Sequence, residues 1–497
     1  MAEPLVLGVD VGTNATKCVL CTAKGDVVAQ SRRDYALQHP RPGWVEQDPE
    51  ELWTAVVGAV REACAGAGQS VVAMSLSCQG GTTIPVDSQM RPLRPAISWL
   101  DGRAAAEGKE LVELLGQEAI YRATGWEAHA ALPVLHIAWL RKHEPELFGR
   151  TARFLFVNDF ILYRLTGELL MDPSDAALTL LYNVEDDRWD PQLCAAAGVR
   201  VEQLSPIAAS GRVVGRLLSS AARELGLSTE VVVINGGHDQ YCAALGAGVV
   251  RDGDVLLSCG TAWVLLAAAS RLIRDPLHTF APGRHVLPGV WGLLCSMPAA
   301  GAAMDWAVRN LANGPQEEEL RYDRVDEHLK AAAPGAGGLL FLPLLAGVEA
   351  ATRRSGQWGA ITGLALGHSR WDMLQSLMEG VALELRWILQ RLQELGQLPQ
   401  ELRMVGGATR STIWPQIVAN ASGLPLTVPQ VSEAASRGAA MLAALGAGLC
   451  QEVWADSGQA RTIRPVPEHA LFYAELFARF QATFEALYSV SCQSSKQ

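Results

Sequence analysis

The sequence lacks an excess of positive charge, a long apolar run and any cluster of cysteines. Its 41 Lys and Arg are outnumbered by 52 Asp and Glu, for a formal charge of −11, and the basic residues are scattered. A nucleic-acid backbone needs a basic face, so nucleic acid is excluded as the main partner. No stretch approaches the ~20 apolar residues of a membrane span, and a strand pattern begins at Leu5 where a cleavable leader would lie. The expectation is a cytoplasmic protein with no membrane partner. The ten cysteines are spread singly through apolar segments, as suits buried thiols in a reducing compartment. Cys18 and Cys21 have CxxC spacing, but in a strand they point to opposite faces, and no second pair accompanies them. No metal-thiolate site is expected. Also missing are a Gly-x-x-x-x-Gly-Lys-Ser/Thr loop, a Gly-x-Gly-x-x-Gly after the first strand and a Gly-x-Ser-x-Gly elbow. Any nucleotide must therefore be held by some other backbone arrangement.

What is present is a pair of stretches that echo one another. Leu5 to Asp10 runs into Val11-Gly12-Thr13-Asn14-Ala15-Thr16 and leaves through Lys17 to Leu20. Asp254 to Cys259 runs into Gly260-Thr261 and leaves through Ala262 to Leu266. Each reads as an apolar strand, a Gly-Thr turn and a second apolar strand. Glycine lets backbone approach a ligand, and adjacent turn N–H groups make a concave anion site. A lone hairpin of this kind is usually only a turn. Two of them, each opening one half of a 497-residue chain, suggest a phosphate held between two related domains, 1–248 and 249–490, followed by a polar tail at 491–497. Only the first carries an acid, Asp10; Ser258 or Cys259 stands in its place in the second.

Between the hairpins, Val27 to Ser31 reads as a third strand. Asp48-Pro49-Glu50-Glu51 is a helix start with a capping box, opening a helix to about Ala65 with Leu52, Val56, Val60 and Ala63 on its buried stripe. Val71 to Ser77 is a buried strand leading into Cys78-Gln79-Gly80-Gly81-Thr82, and Ile97 to Arg103 reads as a short strand. The histidines of the helical region, His129, His136 and His143, have no evident partners. Val231 to Asn235 is an apolar strand that delivers Gly236-Gly237-His238-Asp239-Gln240 ahead of a small-residue helix. An acid at such a strand tip is where open α/β sheets place ligand chemistry. In the second half, a small-residue helix starts near Gly301, and Trp371 to Leu395 is a long amphipathic helix ended by Gly396. Leu402 to Val405 enters Gly406-Gly407-Ala408-Thr409-Arg410-Ser411, a second glycine-rich ligand loop. The run Gly438 to Gly448 reads as close helix packing.

Phosphoryl transfer needs charge stabilisation, a metal and a positioned acceptor rather than covalent help. Asp10 can hold Mg²⁺ directly or through water, and Thr13, Asn14, Lys17 and Thr261 can donate to phosphate oxygens. Asp239 can accept a proton from an attacking alcohol. Taken singly, each residue has a plainer reading: Asp239 a helix start, Trp99 a core aromatic, Asp101 and Arg103 a surface ion pair.

The order of the pieces resembles the FGGY family of carbohydrate kinases, of the actin-like and Hsp70-like ATPase superfamily, over nearly the whole chain. The residues that carry the likeness are Asp10 to Lys17, Gly43-Trp44-Val45-Glu46-Gln47-Asp48-Pro49, Trp99-Leu100-Asp101-Gly102-Arg103, Gly236 to Asp239, Ser258 to Thr261 and Gly406 to Ser411. The resemblance implies an α/β fold of two ribonuclease-H-like domains around a deep cleft, with sugar mainly on the first and ATP mainly on the second. It implies Asp239 as catalytic base and Asp10 as the Mg²⁺ residue. Gly12, Thr13, Asn14, Lys17, Gly260, Thr261, Gly301, Gly406, Gly407 and Ser411 would bind nucleotide. Gln79, Gly80, Gly81, Trp99, Asp101, Arg103 and Gln240 would bind sugar. The departures fall in the sugar set. Gln79-Gly80-Gly81-Thr82 replaces Gln-Met-His-Gly of xylulose kinases and Gln-Arg-Glu-Thr of glycerol kinases, and His238 replaces a common glycine. The two glycines are expected to open space in the cleft. The resulting expectation is an ATP-dependent kinase for a terminal hydroxyl of a ketopentose such as xylulose or ribulose. The alternatives are a kinase for another polyol or sugar, or a sugar-gated ATPase that has lost transfer. The partners expected are a small sugar or polyol and ATP, with a homodimer among the options.

Overall fold

The computed structural model describes residues 3–313, 321–347, 350–351, 356–430, 433–454 and 460–488; the tail expected at 491–497 lies outside them. Two mixed sheets share one plan. In the first, β1 (Leu5–Val11), β2 (Ala15–Thr22) and β3 (Val27–Asp34) form an antiparallel meander. On the other edge of β1 lie β4 (Val71–Cys78) and then β6 (Val232–His238), both parallel to it, with β5 (Val213–Arg216) antiparallel at the rim. The second sheet repeats this. β7 (Val255–Cys259) and β8 (Trp263–Ala269) form the hairpin, extended by β10 (Trp291–Met297) and β9 (Ala281–Arg284). β11 (Leu402–Gly406) and β12 (Leu426–Val428) lie parallel on the far side of β7, and β13 (Arg461–Ile463) closes the rim. The echo between the two hairpins is thus an echo between two domains.

Each sheet buries one face under its own helices. α1 (Pro49–Ala63) covers the first, with Asp48 accepting from the Glu50 amide and Leu52, Val56, Val60 and Ala63 turned inward as spaced. The reciprocal bond from Glu51 does not form. α5 (Arg370–Glu394) covers the second and buries Leu374, Leu377, Val381, Leu385, Ile388 and Leu392. The inner faces meet across two crossing helices, α3 (Asp239–Gly246) and α7 (Ala434–Gly446). A Cβ on Gly246 would lie 1.9 Å from the Ala434 carbonyl oxygen, and one on Gly438 1.9 Å from that of Cys242. The glycines of this region therefore serve helix contact, as read for 438–448. α7 also lies on the first sheet: a Cβ on Gly8 would come within 1.8 Å of the Ser436 carbonyl oxygen. So the halves are not independent in packing, because a helix from the second half completes the core of the first.

Two local expectations differ. Only Ala96–Ile97 of the stretch to Arg103 is strand; the rest turns, with the Asp101 amide donating to Ser98 O and the Gly102 amide to Gly43 O. His136 Nδ1 lies 3.1 Å from Thr83 Oγ1, and His143 Nε2 3.1 Å from Glu107 Oε1, so both have partners. None of the described cysteines forms a disulfide, and Cys18 and Cys21 enter cores on opposite faces of β2. No described helix is long and apolar enough to cross a membrane.

Candidate active site

Parallel pairing of β1, β4 and β6 sets the first half of the site. Asp10 is opposite Ser77, and Ser77 is opposite Gly237, so the strands end side by side with Asp239 just beyond. The Ser77 hydroxyl donates to Asp10 Oδ1 at 2.7 Å. Burial, then the nearby charge of Asp239, pushes the Asp10 carboxyl up to about 7 against the pull of Lys17 and Ser77. Asp239 opens α3, where an acid meets the positive helix end. Burial raises its carboxyl to about 6, opposed by bonds from Gln240 and by Lys17. Lys17, cross-strand from Asp10, bridges to Glu433 at 2.8 Å. His238 Nε2 lies 3.1 Å from Asp239 Oδ1 without completing a hydrogen bond. Burial lowers the His238 imidazole to about 4, so the ring is neutral at pH 7.

The first Gly-Thr turn joins this group to the sugar-side residues. The Trp99 indole N–H donates to Thr13 Oγ1 at 2.9 Å, and Gln47 Nε2 donates to the Thr13 carbonyl at 2.9 Å. Gln79 Nε2 donates to Gln47 Oε1 at 3.0 Å. Trp99 is 39% exposed, so its ring is a wall rather than core. Asn14 is exposed at the turn, and Gly12 N–H closes it on Ala15 O. Asp101 and Arg103 behave otherwise than expected. Their side chains have 0% exposure and are held by each other and by Glu46 and the Val45 amide. Burial alone would raise the Asp101 carboxyl; the bonds from Arg103 and Val45 outweigh it and hold it below the usual range. These two residues brace the Trp99 turn, and Arg103 Nη1 is buried without a hydrogen-bond partner. Gly80 and Gly81 do not open space either. A Cβ on Gly80 would stand 2.6 Å from Leu178 Cδ1 and 3.0 Å from His238 Cδ2, and Gly81 has φ +77°. The room that Gly80 leaves is filled by Leu178 and His238, and that beside Gly81 by Trp99.

On the second half, a cavity of about 780 Å³ is lined entirely by residues between Cys259 and Trp414. Gly260, Thr261, Gly301, Gly407 and Ser411, read separately along the sequence, line it together. Gly301 is required where α4 (Ala300–Ala307) begins, since a Cβ would lie 2.0 Å from the Gly260 carbonyl oxygen. Gly406 takes φ +95° over Cys259 O and sits behind the lining rather than in it. Trp263 and Trp414, 4.7 Å apart, make the floor with Met304 and Met378. Ser411 Oγ donates to Asp326 Oδ1 at 2.7 Å, which ties the glycine-rich loop to the rim. Gly12, Thr13 and Asn14 do not line this cavity.

Several participants escape sequence reasoning. Ser77 and Glu433 matter through register and helix crossing, and Asp326 through a contact 85 residues away in sequence. None carries a motif. The buried acids Asp159, Asp172 and Asp175 lie behind this site. Asp172 accepts from Ser174 Oγ, whose oxygen in turn accepts the His238 amide at 2.9 Å, so this segment anchors the strand that carries Asp239.

The donor set suits a small hard cation. Asp10 has one oxygen held by Ser77 and a second carboxylate nearby, a pairing that costs least when positive charge is present. Among the described residues, no three His, Cys, Asp or Glu converge as a closed metal cage. Mg²⁺ needs none, because it keeps water and substrate oxygens.

Residues 5–246 match the N-terminal domain of the FGGY family of carbohydrate kinases, and residues 255–447 its C-terminal domain. The xylulose kinase of Bacillus subtilis is 29% identical over 488 residues, covering 97% of this chain and 95% of its own. The crystal structure of xylulose kinase from Rhodospirillum rubrum superposes with a TM-score of 0.90 at 30% identity, covering 98% and 99%. Gluconate kinase from Lactobacillus acidophilus also gives 0.90, at 25% identity, covering 98% of each chain.

Proposed function

The chain belongs to the FGGY family of carbohydrate kinases and is an ATP-dependent sugar kinase, and from that premise we propose that its acceptor is a ketopentose of the xylulose or ribulose type, phosphorylated on a terminal hydroxyl. The observation that carries this reading is a set of buried acceptor atoms without donors. Gln79 Oε1, Asp239 Oδ1 and Gln240 Oε1 are all shielded from water and unpartnered. An unsatisfied buried acceptor costs on the order of 1–3 kcal/mol, and a ligand rich in O–H groups removes that cost. Trp99 supplies an apolar wall for the ring or chain carbons.

In the proposed reaction, Asp239 accepts the proton of the terminal hydroxyl as its oxygen attacks the γ-phosphorus. The bond to the β–γ bridging oxygen breaks, ADP leaves, and the proton stays on Asp239 until released. Asp10 would hold Mg²⁺, directly or through water; when bound, the metal neutralises phosphate charge. Lys17, Thr13 and Thr261 would meet phosphate oxygens, and the 780 Å³ cavity has the size and lining for a nucleoside. The nine described cysteines form no disulfide, in keeping with work in the cytoplasm.

A gluconate-type acceptor is the second reading, since a gluconate kinase shares the fold equally well. Its carboxylate would want a free cation. Lys17, paired with Glu433, is assigned to phosphate, and Arg103 is paired through Nη2 with Asp101 and Glu46, which leaves its buried Nη1 as the nitrogen such a carboxylate would have to reach. A panel of ketoses, polyols and aldonic acids with coupled ADP detection tests the choice. Ketopentoses should give the highest kcat/KM; preference for gluconate or glycerol would overturn the assignment.

A further inference from the structure

Tyr241 stands two residues beyond the proposed base, on the first turn of α3, and its ring leaves the first domain. It is 4% exposed and inserts against β9 and β10 of the second sheet. There Gly283 and Gly292 face each other across the strands. A Cβ on Gly283 would lie 2.4 Å from Tyr241 Oη, and one on Gly292 2.4 Å from Cε1. Neither glycine has positive φ, so what they supply is room, not an unusual backbone. The ring also packs edge-on between His238 of β6, at 6.0 Å, and His285 just past β9, at 5.8 Å. A row of three rings therefore runs from β6, the strand that leads into Asp239, to the nucleotide-side sheet.

We propose that Tyr241 is a positioning residue, a pin that fixes the first turn of α3, and Asp239 with it, to the sheet carrying the nucleotide cavity. The proposal rests on Asp239 being the base. A single residue of helix, Gln240, separates the pin from the carboxylate, so a shift of the ring is passed on almost undiminished. A misplacement of about 1 Å at a reacting group can cost ~10²-fold in rate. Without the pin, the carboxylate loses its fixed relation to the γ-phosphate, while the cavity residues between Cys259 and Trp414 are untouched. Water then competes better with the sugar.

The discriminating quantity is sugar phosphate formed per ATP consumed. Partial unfolding lowers both rates together and leaves that ratio unchanged; loss of positioning lowers the ratio. Tyr241→Ala should reduce sugar-dependent kcat by about tenfold or more and lower the ratio, with the KM for ATP within about twofold. Tyr241→Phe, which keeps the ring, should restore most of the loss. Gly292→Ala fills the notch and should reproduce Tyr241→Ala. The double variant Tyr241→Ala with Gly292→Ala should be no worse than either alone, because both remove one interaction. Loss of rate with an unchanged ratio, or additive losses in the double variant, would overturn the pin. Asp239→Asn assayed alongside separates the two ideas: its full activity would remove the base, whereas the ratio in Tyr241→Ala still reports on the pin.

Discussion

Lys17 Nζ lies 2.8 Å from Glu433 Oε2, so the ammonium beside Asp10 is tied to the N-terminus of the helix that joins the two halves. Both side chains are a little over a quarter exposed, so the pair itself is worth little in stability. Its functional weight is larger. An incoming phosphate must compete with Glu433 for Lys17. Glu433→Gln should therefore tighten ATP by about three- to tenfold, the worth of one charge-assisted bond after solvent screening. Titration calorimetry with nucleotide at fixed Mg²⁺ measures it. Unchanged affinity would mean that Lys17 does not meet phosphate.

Asp239 must be ionised to accept a proton, and burial sets its carboxyl at about 6. Varying sugar at saturating ATP, kcat/KM should fall as pH drops through about 6, tenfold per unit below it. Asp239→Asn should lower kcat by ~10²–10⁴-fold, with ATP affinity little changed. A flat profile from pH 5 to 8 would argue against this base.

Asp10 carries a trade of stability for function. Its folded carboxyl titrates near 7, above the 3.8 of an ordinary aspartate. The folded state thus binds this proton more tightly than the unfolded one. The stabilisation is complete below about pH 4 and disappears as pH rises through 7. Asp10→Asn removes the penalty and should raise the unfolding temperature of the ligand-free protein at pH 8, by the equivalent of roughly 1–3 kcal/mol. The same change should raise the Mg²⁺ requirement and lower kcat. Calorimetry without ligand, paired with a Mg²⁺ titration of activity, checks both signs.

The elements that carry chemistry were legible because each sits on a strong local pattern. The two hairpins, the strand ending at Asp239 and the capped helix at Asp48 all formed as their residues dictate. What sequence could not convey was register and orientation. Asp10 meets Ser77 only because β1 and β4 pair as they do. Asp101 and Arg103 stand in a motif that points to the sugar, yet mutual charge and the Val45 amide draw them inward. Gly80 looked like added space because sequence shows the missing side chain and not the Leu178 and His238 side chains that fill the gap. The two domains were read from the repeat of the hairpin, whereas α7 crossing back onto β1 has no local signal at all.

That filling of the gap changes what sets substrate choice. Gly80 has ordinary backbone angles, so an added methyl is opposed only by the neighbours, chiefly Leu178 Cδ1 at 2.6 Å. Gly80→Ala should cost about 1–3 kcal/mol of stability through overpacking, and Leu178→Ala should recover much of it. Gly81 differs: at φ +77° any side chain is strained, so Gly81→His should destabilise regardless of Leu178. Neither change is expected to reorder sugars, because both glycines face protein rather than open cleft. His238 is the side chain that stands between this loop and Asp239, so His238→Ala should open the missing volume. The ring also adjoins the base, and its loss will slow every substrate. A ratio of kcat/KM between two sugars cancels that common effect and isolates recognition. The ratio between a ketopentose and a larger ketose should move by about tenfold or more in His238→Ala and by less than about twofold in Gly80→Ala with Leu178→Ala. If the ratio moves in the glycine variant instead, the loop after β4 does reach the sugar and His238 is only its packing partner.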